Sequence, residues 1–265
     1  MNEDMFMSKI PEEEFLEGEI ENRGKRGCLI KTVALLILLA FIAFSFPNFS
    51  YLFFDKLSFL DQNKELSEDQ IVKKVRPAVV NIEVVDTNQP FATLRHGTGF
   101  NTSPTGTIIT NQHVVANAGT VTVTFGDGSK YYSKECEVIP GVDLAVIKLA
   151  GKELPSIPLA AKNQAQRGDI VTIIGNPLGF EKVSQRGEVG DYHKIEGSLS
   201  PVFDIKLPVN PGSSGSPVIN GQAQVVGIVF ASTSVDINGK SETRALAIPV
   251  QELPPSVIPK QSATK

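Results

Sequence analysis

The chain contains no tryptophan, only three histidines and only two cysteines in 265 residues. Cys28 and Cys136 lie on opposite sides of its most hydrophobic stretch. If that stretch crosses a membrane, the two thiols face different compartments and cannot pair, so the fold does not rest on disulfides. Neither cysteine stands in a Cys/His cluster, which speaks against a structural zinc site, and no residue pattern calls for a metal or a cofactor. There is no basic excess. The formal net charge is −4 and charged residues make up 20% of the chain, so nucleic acid is not an expected partner. Internal repeats and low-complexity runs are absent. What remains is enough chain for one domain, or two small lobes, with a real core and some accessory sequence.

The hydrophobic stretch comes early. Residues 32–46 read TVALLILLAFIAFSF, and the run from 32 to Phe54 holds 23 residues without a charge. About 20 apolar residues span a bilayer core. Arg23, Lys25, Arg26 and Lys31 precede it. The positive-inside rule then keeps the N-terminus cytoplasmic and puts everything after the run outside. The expected organisation is an acidic and basic cytoplasmic tail at 1–28, a single transmembrane signal-anchor helix at 29–54 and a polar linker at 55–66. That makes a single-pass plasma-membrane protein with its main domain extracytoplasmic. The competing reading is a cleaved signal peptide, against which stand the long stretch before the run and the lack of a clear small-residue cleavage site. The acidic run Glu12 to Glu21 reads as a solvated tail. After the linker, SEDQIVKKV opens a short helix, with Ser67 as its cap and Gln70 at the reciprocal position of a capping box.

From Pro77 onward the pattern is all-β. AVVNIEVV (78–85), GTIITN (106–111), TVTVTF (120–125), LAVIKL (144–149), DIVTIIG (169–175), PVIN (217–220) and AQVVGIVF (223–230) are short β-branched runs. GDGSK (126–130) and NGK (238–240) are turn signals. TVTVTF alternates, so one face is wet. LAVIKL is apolar almost throughout and is expected to be buried on both faces. Many short strands over such a length indicate a barrel or a sandwich.

Three local sequences carry chemistry: TNQHVV around His113, GVDLAVIKL around Asp143 and NPGSSGSPV around Ser214. A hydroxyl is a weak nucleophile at neutral pH. It needs a base within hydrogen-bond reach, and the base needs a carboxylate to fix its tautomer and stabilise its charged form. His, Asp and Ser occur in that chain order, which is one of three known orders for this triad. Glycines flank the serine in Gly212-Ser213-Ser214-Gly215 and permit a tight turn. The N–H groups of Gly212 and Ser214 are the expected oxyanion donors. Pro217 and β-branched residues follow, so a strand-turn-helix nucleophile elbow is excluded. His96 and His193 have no comparable setting and read as surface or loop residues.

From about residue 67 to 250 the chain resembles the protease domain of the HtrA (Deg-type) serine proteases within the trypsin-like superfamily. The stretches that carry the resemblance are VRPAVVNIEV, GTGFNTSPTGTIITNQHVV, VDLAVIKL, VTIIGNPLG, NPGSSGSPVIN, VVGIV and LAIPV. The resemblance implies two chymotrypsin-like antiparallel β-barrels with the active site between them. The domain would cover 67–255, with barrel one at about 77–155, barrel two at about 156–250 and a C-terminal tail at 256–265. It also implies a homotrimer and polypeptide substrates.

The chain departs from the family in places. Ser213 and Ser216 stand where that pattern usually has Asn and Gly, and Lys206 and Pro208 replace residues of its DAAINP segment. Val229 occupies the position where the glutamyl endopeptidases, which share the GSPV string, carry a specificity histidine. Only 15 residues follow LAIPV, so the PDZ domain such proteases usually carry is not expected here. The expected function is that of a membrane-anchored serine endopeptidase. Its substrate would pair as a strand beside Ile228, Val229, Phe230 and Ala231. A catalytically silent binding module of the same fold and a hydrolase of small esters are the alternatives.

Overall fold

The computed structural model describes residues 59–258, apart from 87–92, 196–199 and 238, together with helical residues 31 and 33–37. The tail expected at 1–28 lies outside the described residues, as does most of the membrane helix expected at 29–54. No helix among the described residues is long and apolar enough to cross a membrane.

Two helices open the domain. The first, Phe59–Leu66, falls where the polar composition suggested a linker; Leu66 is buried and most of its other described side chains are not. The second is Gln70–Val75. Its cap is Asp69, whose carboxylate accepts from the N–H of Ile71 at 2.8 Å and of Val72 at 3.2 Å. Ser67, the cap expected from sequence, instead donates to the carbonyl of Lys64 at 2.7 Å and closes the preceding helix. Asp69 wins because it directly precedes the first helical residue and its charge complements the positive helix terminus. Val72 and Val75 on this helix are fully buried, each worth about 1.5–3 kcal/mol of apolar burial.

The first lobe contains β1 (Val79–Asp86), β2 (Thr93–Asn101), β3 (Thr107–Thr110), β4 (Ala118–Thr124), β5 (Lys130–Ser133), β6 (Cys136–Ile139) and β7 (Leu144–Lys148). They form one antiparallel sheet in the order β5-β4-β1-β2-β3-β7-β6. Among the described residues this sheet does not join end to end into a ring. The second lobe does close. Its strands β8 (Ile170–Gly175), β9 (Val183–His193), β10 (Val202–Ile205), β11 (Pro217–Ile219), β12 (Val225–Ile237) and β13 (Lys240–Pro249) make a six-stranded barrel.

Burial follows the strand patterns. Leu144 to Ile147 of β7 are all buried, as expected for a nearly continuous apolar run. Val80, Ile82, Ile108 and Ile147 pack inside the first lobe, and Val171, Phe203, Val218 and Val229 fill the barrel. A third apolar cluster joins the two lobes. It takes Phe100 and Leu144 from the first, Ile174 and Ile228 from the second, and Val72 and Val75 from the helix. The lobes therefore share a core, which fixes the cleft between them.

Candidate active site

His113 lies on a single helical turn, Gln112–Val115, immediately after β3. Asp143 lies in a three-residue turn ahead of β7, closed by the N–H of Leu144 donating to the carbonyl of Val142 at 2.9 Å. β3 and β7 are neighbours, with Thr110 opposite Ala145, so the sheet register brings the two turns together. The Asp143 carboxylate then holds the histidine twice. Its Oδ2 is 2.6 Å from His113 Nδ1, and its Oδ1 accepts from the His113 backbone N–H at 3.0 Å. Asn111, fully buried, donates its amide to the Asp143 carbonyl at 2.8 Å and fixes the turn from behind. With Nδ1 committed, Nε2 is the nitrogen left to exchange a proton with a hydroxyl. Arg95 donates to the carbonyls of His113 and Ala116, fastening the helical turn to β2.

Ser214 sits on the turn before β11. Gly212 and Gly215 adopt φ of +94° and +85°. A Cβ on Gly212 would meet the Asn176 carbonyl oxygen at 2.5 Å; one on Gly215 would meet the Thr98 carbonyl oxygen at 1.9 Å and Thr110 Oγ1 at 2.5 Å. Both positions need glycine for conformation and for space. The nearness of Thr110 to Gly215 places the Ser214 turn against the end of β3, three residues ahead of His113 in the chain.

The turn is bound residue by residue. Thr98 N–H donates to the Ser214 carbonyl at 2.8 Å, and Thr98 Oγ1 donates to the Gly212 carbonyl at 2.7 Å. Asn176 donates its backbone N–H to the same hydroxyl oxygen at 2.9 Å, and its amide reaches the Val80 carbonyl at 3.1 Å. Thr98 and Asn176, both buried, thus tie β2 of the first lobe to the second lobe beneath the turn. Sequence reading missed these two residues, because a threonine among glycines and an asparagine after a strand look like ordinary turn chemistry.

The direction of the two expected oxyanion donors follows from their peptide planes. The Pro211 carbonyl accepts from Leu178 N–H at 2.8 Å, and the Ser213 carbonyl accepts from Ser216 N–H at 3.0 Å. No peptide bond among the described residues is cis, so the N–H of Gly212 and of Ser214 point opposite to those anchored carbonyls.

The four residues expected beside a substrate strand divide. Ile228 and Val229 are buried, and the Val229 backbone is committed, accepting from Gly215 N–H at 2.8 Å and donating to the Ser216 carbonyl at 2.9 Å. They belong to the core and to the support of the Ser214 turn. Phe230 and Ala231 come next on β12 and are only partly buried.

The other two histidines lie elsewhere. His96 faces Glu83 across β1 and β2 at 3.6 Å, exposed. His193, at the end of β9, is more than a loop residue. Its Nε2 is 2.6 Å from Oδ2 of Asp204, a buried β10 residue whose Oδ1 accepts from Arg244 at 2.9 Å. Burial works to raise the Asp204 pKa, but the bonds from His193, from the Asp191 N–H and from Arg244 outweigh it and hold the carboxyl below its ordinary value. Among the described residues no three metal-ligating side chains gather.

Comparison with known proteins adds a lineage to this geometry. Residues 97–228 match the trypsin-like peptidase domain family. Over 143 residues the chain is 38% identical to the "Probable periplasmic serine endoprotease DegP-like" of Chlamydia muridarum, covering 52% of this chain and 28% of that protein. It is 35% identical over 134 residues to the protein of the same name in Pseudomonas fluorescens, covering 50% of this chain and again 28% of the relative. Among solved structures, the active form of the Rv3671c protease from M. tuberculosis superposes with a TM-score of 0.60 at 27% identity. That match covers 71% of this chain and 82% of the other. The chain thus spans about three tenths of the length of these curated relatives.

Proposed function

We propose that this chain carries a trypsin-like serine protease domain of the HtrA type and is an extracytoplasmic endopeptidase acting through an acyl-enzyme on Ser214. The observation that carries the reading is the double hold of Asp143 on His113, through the ring at 2.6 Å and the backbone at 3.0 Å. A carboxylate so placed selects the Nδ1–H tautomer and stabilises the imidazolium.

In the first step Ser214 Oγ attacks the scissile carbonyl carbon, and its proton passes to His113 Nε2. The carbonyl oxygen becomes an oxyanion held by the N–H groups of Gly212 and Ser214. When the intermediate collapses, His113 gives the proton to the departing amine and the acyl group stays on Ser214. Water then repeats the sequence, with His113 as base and then acid, and frees the acid product. The substrate chain lies on its acyl side as an extended strand beside Phe230 and Ala231, just past the point where Val229 grips the nucleophile turn.

The two DegP-like relatives are named as periplasmic, which supports an extracytoplasmic site of action. The uncharged run to Phe54, following four basic residues, supports anchoring of the domain to the membrane by one N-terminal helix. Quality control of misfolded envelope protein and assembly as a homotrimer are the roles the family resemblance suggests for it.

A fluorophosphonate probe tests the catalytic reading. Wild-type protein is expected to become covalently labelled, and Ser214→Ala, with an unchanged circular dichroism spectrum, is expected not to. Folded wild type that fails to react would instead mark a silent module of the same fold.

A further inference from the structure

The β12–β13 hairpin runs well beyond the barrel. β12 is 13 residues long, and its ladder with β13 continues to the pair Ile237 and Lys240. On its other side β12 pairs with β11 only from Val225 to Ile228. Past that point no described strand adds to this edge.

The direction of the backbone groups along the edge follows from neighbouring bonds. In an antiparallel pair, opposed residues alternate between exchanging hydrogen bonds and turning them outward. Ala245 donates its N–H to the Leu207 carbonyl at 2.9 Å, away from β12. Ser232, opposite Ala245, therefore also turns its N–H and carbonyl away from the shared ladder, toward the open edge. With a period of two, Ser234 and Asp236 do the same. Their side chains are exposed, while Ala231, Thr233 and Val235 face the half-buried side.

We propose that the open edge of β12 from Phe230 to Asp236 is a docking strand for the acyl-side segment of an extended, unfolded polypeptide, so that recognition reaches about seven residues back from the scissile bond. This rests on the reading of Ser214 as nucleophile. The occupant is argued from continuity. The edge begins at the residue after Val229, whose two backbone groups hold Gly215 and Ser216, so a chain seated at Ser214 meets it directly. An unpaired strand edge binds by main-chain hydrogen bonds and tolerates many sequences. Recognition is then by length and extended shape more than by side chain.

The full-length protein in detergent can be tested on a peptide taken from its own β-casein digest. The peptide is made with three and with seven residues on the acyl side, and separately lengthened on the leaving side. Acyl-side lengthening is expected to raise kcat/KM about tenfold, the effect of a few net backbone hydrogen bonds, while leaving-side lengthening gives no comparable rise. N-methylation along the four added residues should erase the gain at alternate positions only, since alternate N–H groups face the edge. Ser234→Pro removes one edge donor without touching the ladder to β13; it should lose the gain, keep turnover of the short peptide and keep fluorophosphonate labelling. Equal kcat/KM for short and long peptides in a protein that labels normally would overturn the docking strand alone. Absence of both labelling and casein cleavage would overturn the protease reading, and the docking strand with it.

Discussion

Among the described residues two Asp–His pairs stand at the same 2.6 Å separation, and they use opposite nitrogens of the ring. Asp143 binds His113 through Nδ1 and leaves Nε2 for a hydroxyl. Asp204 binds His193 through Nε2, the nitrogen farther from the backbone. The carboxylates differ as well. Asp143 has no cationic partner other than the histidine among its hydrogen bonds and keeps 30% of its side chain exposed. Asp204 is 1% exposed and shares its charge with Arg244. On the proposed reading, the same pair of residue types serves acid–base chemistry at Ser214 and holds strands together in the barrel.

Substitutions can break or sharpen this contrast. The largest effect is expected from Asp143→Asn, which keeps the shape but frees the imidazole to take the wrong tautomer. Peptide turnover should fall about 10⁴-fold in kcat, with the thermal midpoint moved by no more than a degree or two. The matching change on the other pair, Asp204→Asn, reverses the pattern. It takes from Arg244 its buried carboxylate partner and leaves only the more exposed Glu242 at 3.5 Å, so stability should drop by about 3 kcal/mol, roughly 10 °C in midpoint for a domain of this size. Turnover at 20 °C should stay within a few-fold.

A smaller effect concerns pH. The Asp204 carboxyl is held below its ordinary value in the folded state. Its contribution is therefore present above the unfolded value of about 3.9 and is lost as pH falls through the folded value. Thermal midpoints measured from pH 6 to pH 3 should decline less steeply in Asp204→Asn than in the wild type.

The two pairs were not equally legible. His113 and Asp143 each lie beside a strand with an obvious β pattern, and their order with Ser214 is itself a signal. The glycines at 212 and 215 announce the turn that the structure contains. Asp204 sits in the apolar string VFDI, 11 residues from His193 and 40 from Arg244. Only the pairing of β9, β10 and β13 brings those three together, and no local sequence pattern encodes such a pairing. Thr98 and Asn176, 78 residues apart, were hidden for the same reason. Closure of a sheet also depends on long-range register, so strand patterns alone could not show which sheet joins into a ring among the described residues. The cap at Asp69 rather than Ser67 is a local matter, a competition between two good capping residues two positions apart, and the charged one next to the helix prevails.

The most direct test of the account is the second-order rate constant for fluorophosphonate labelling of Ser214, measured side by side in the wild type, Asp143→Asn and Asp204→Asn below their unfolding temperatures. The account predicts a fall of about 10³-fold or more for Asp143→Asn and a change within a few-fold for Asp204→Asn. Equal labelling of the wild type and Asp143→Asn would contradict it, because Asp143 would then have no part in activating Ser214.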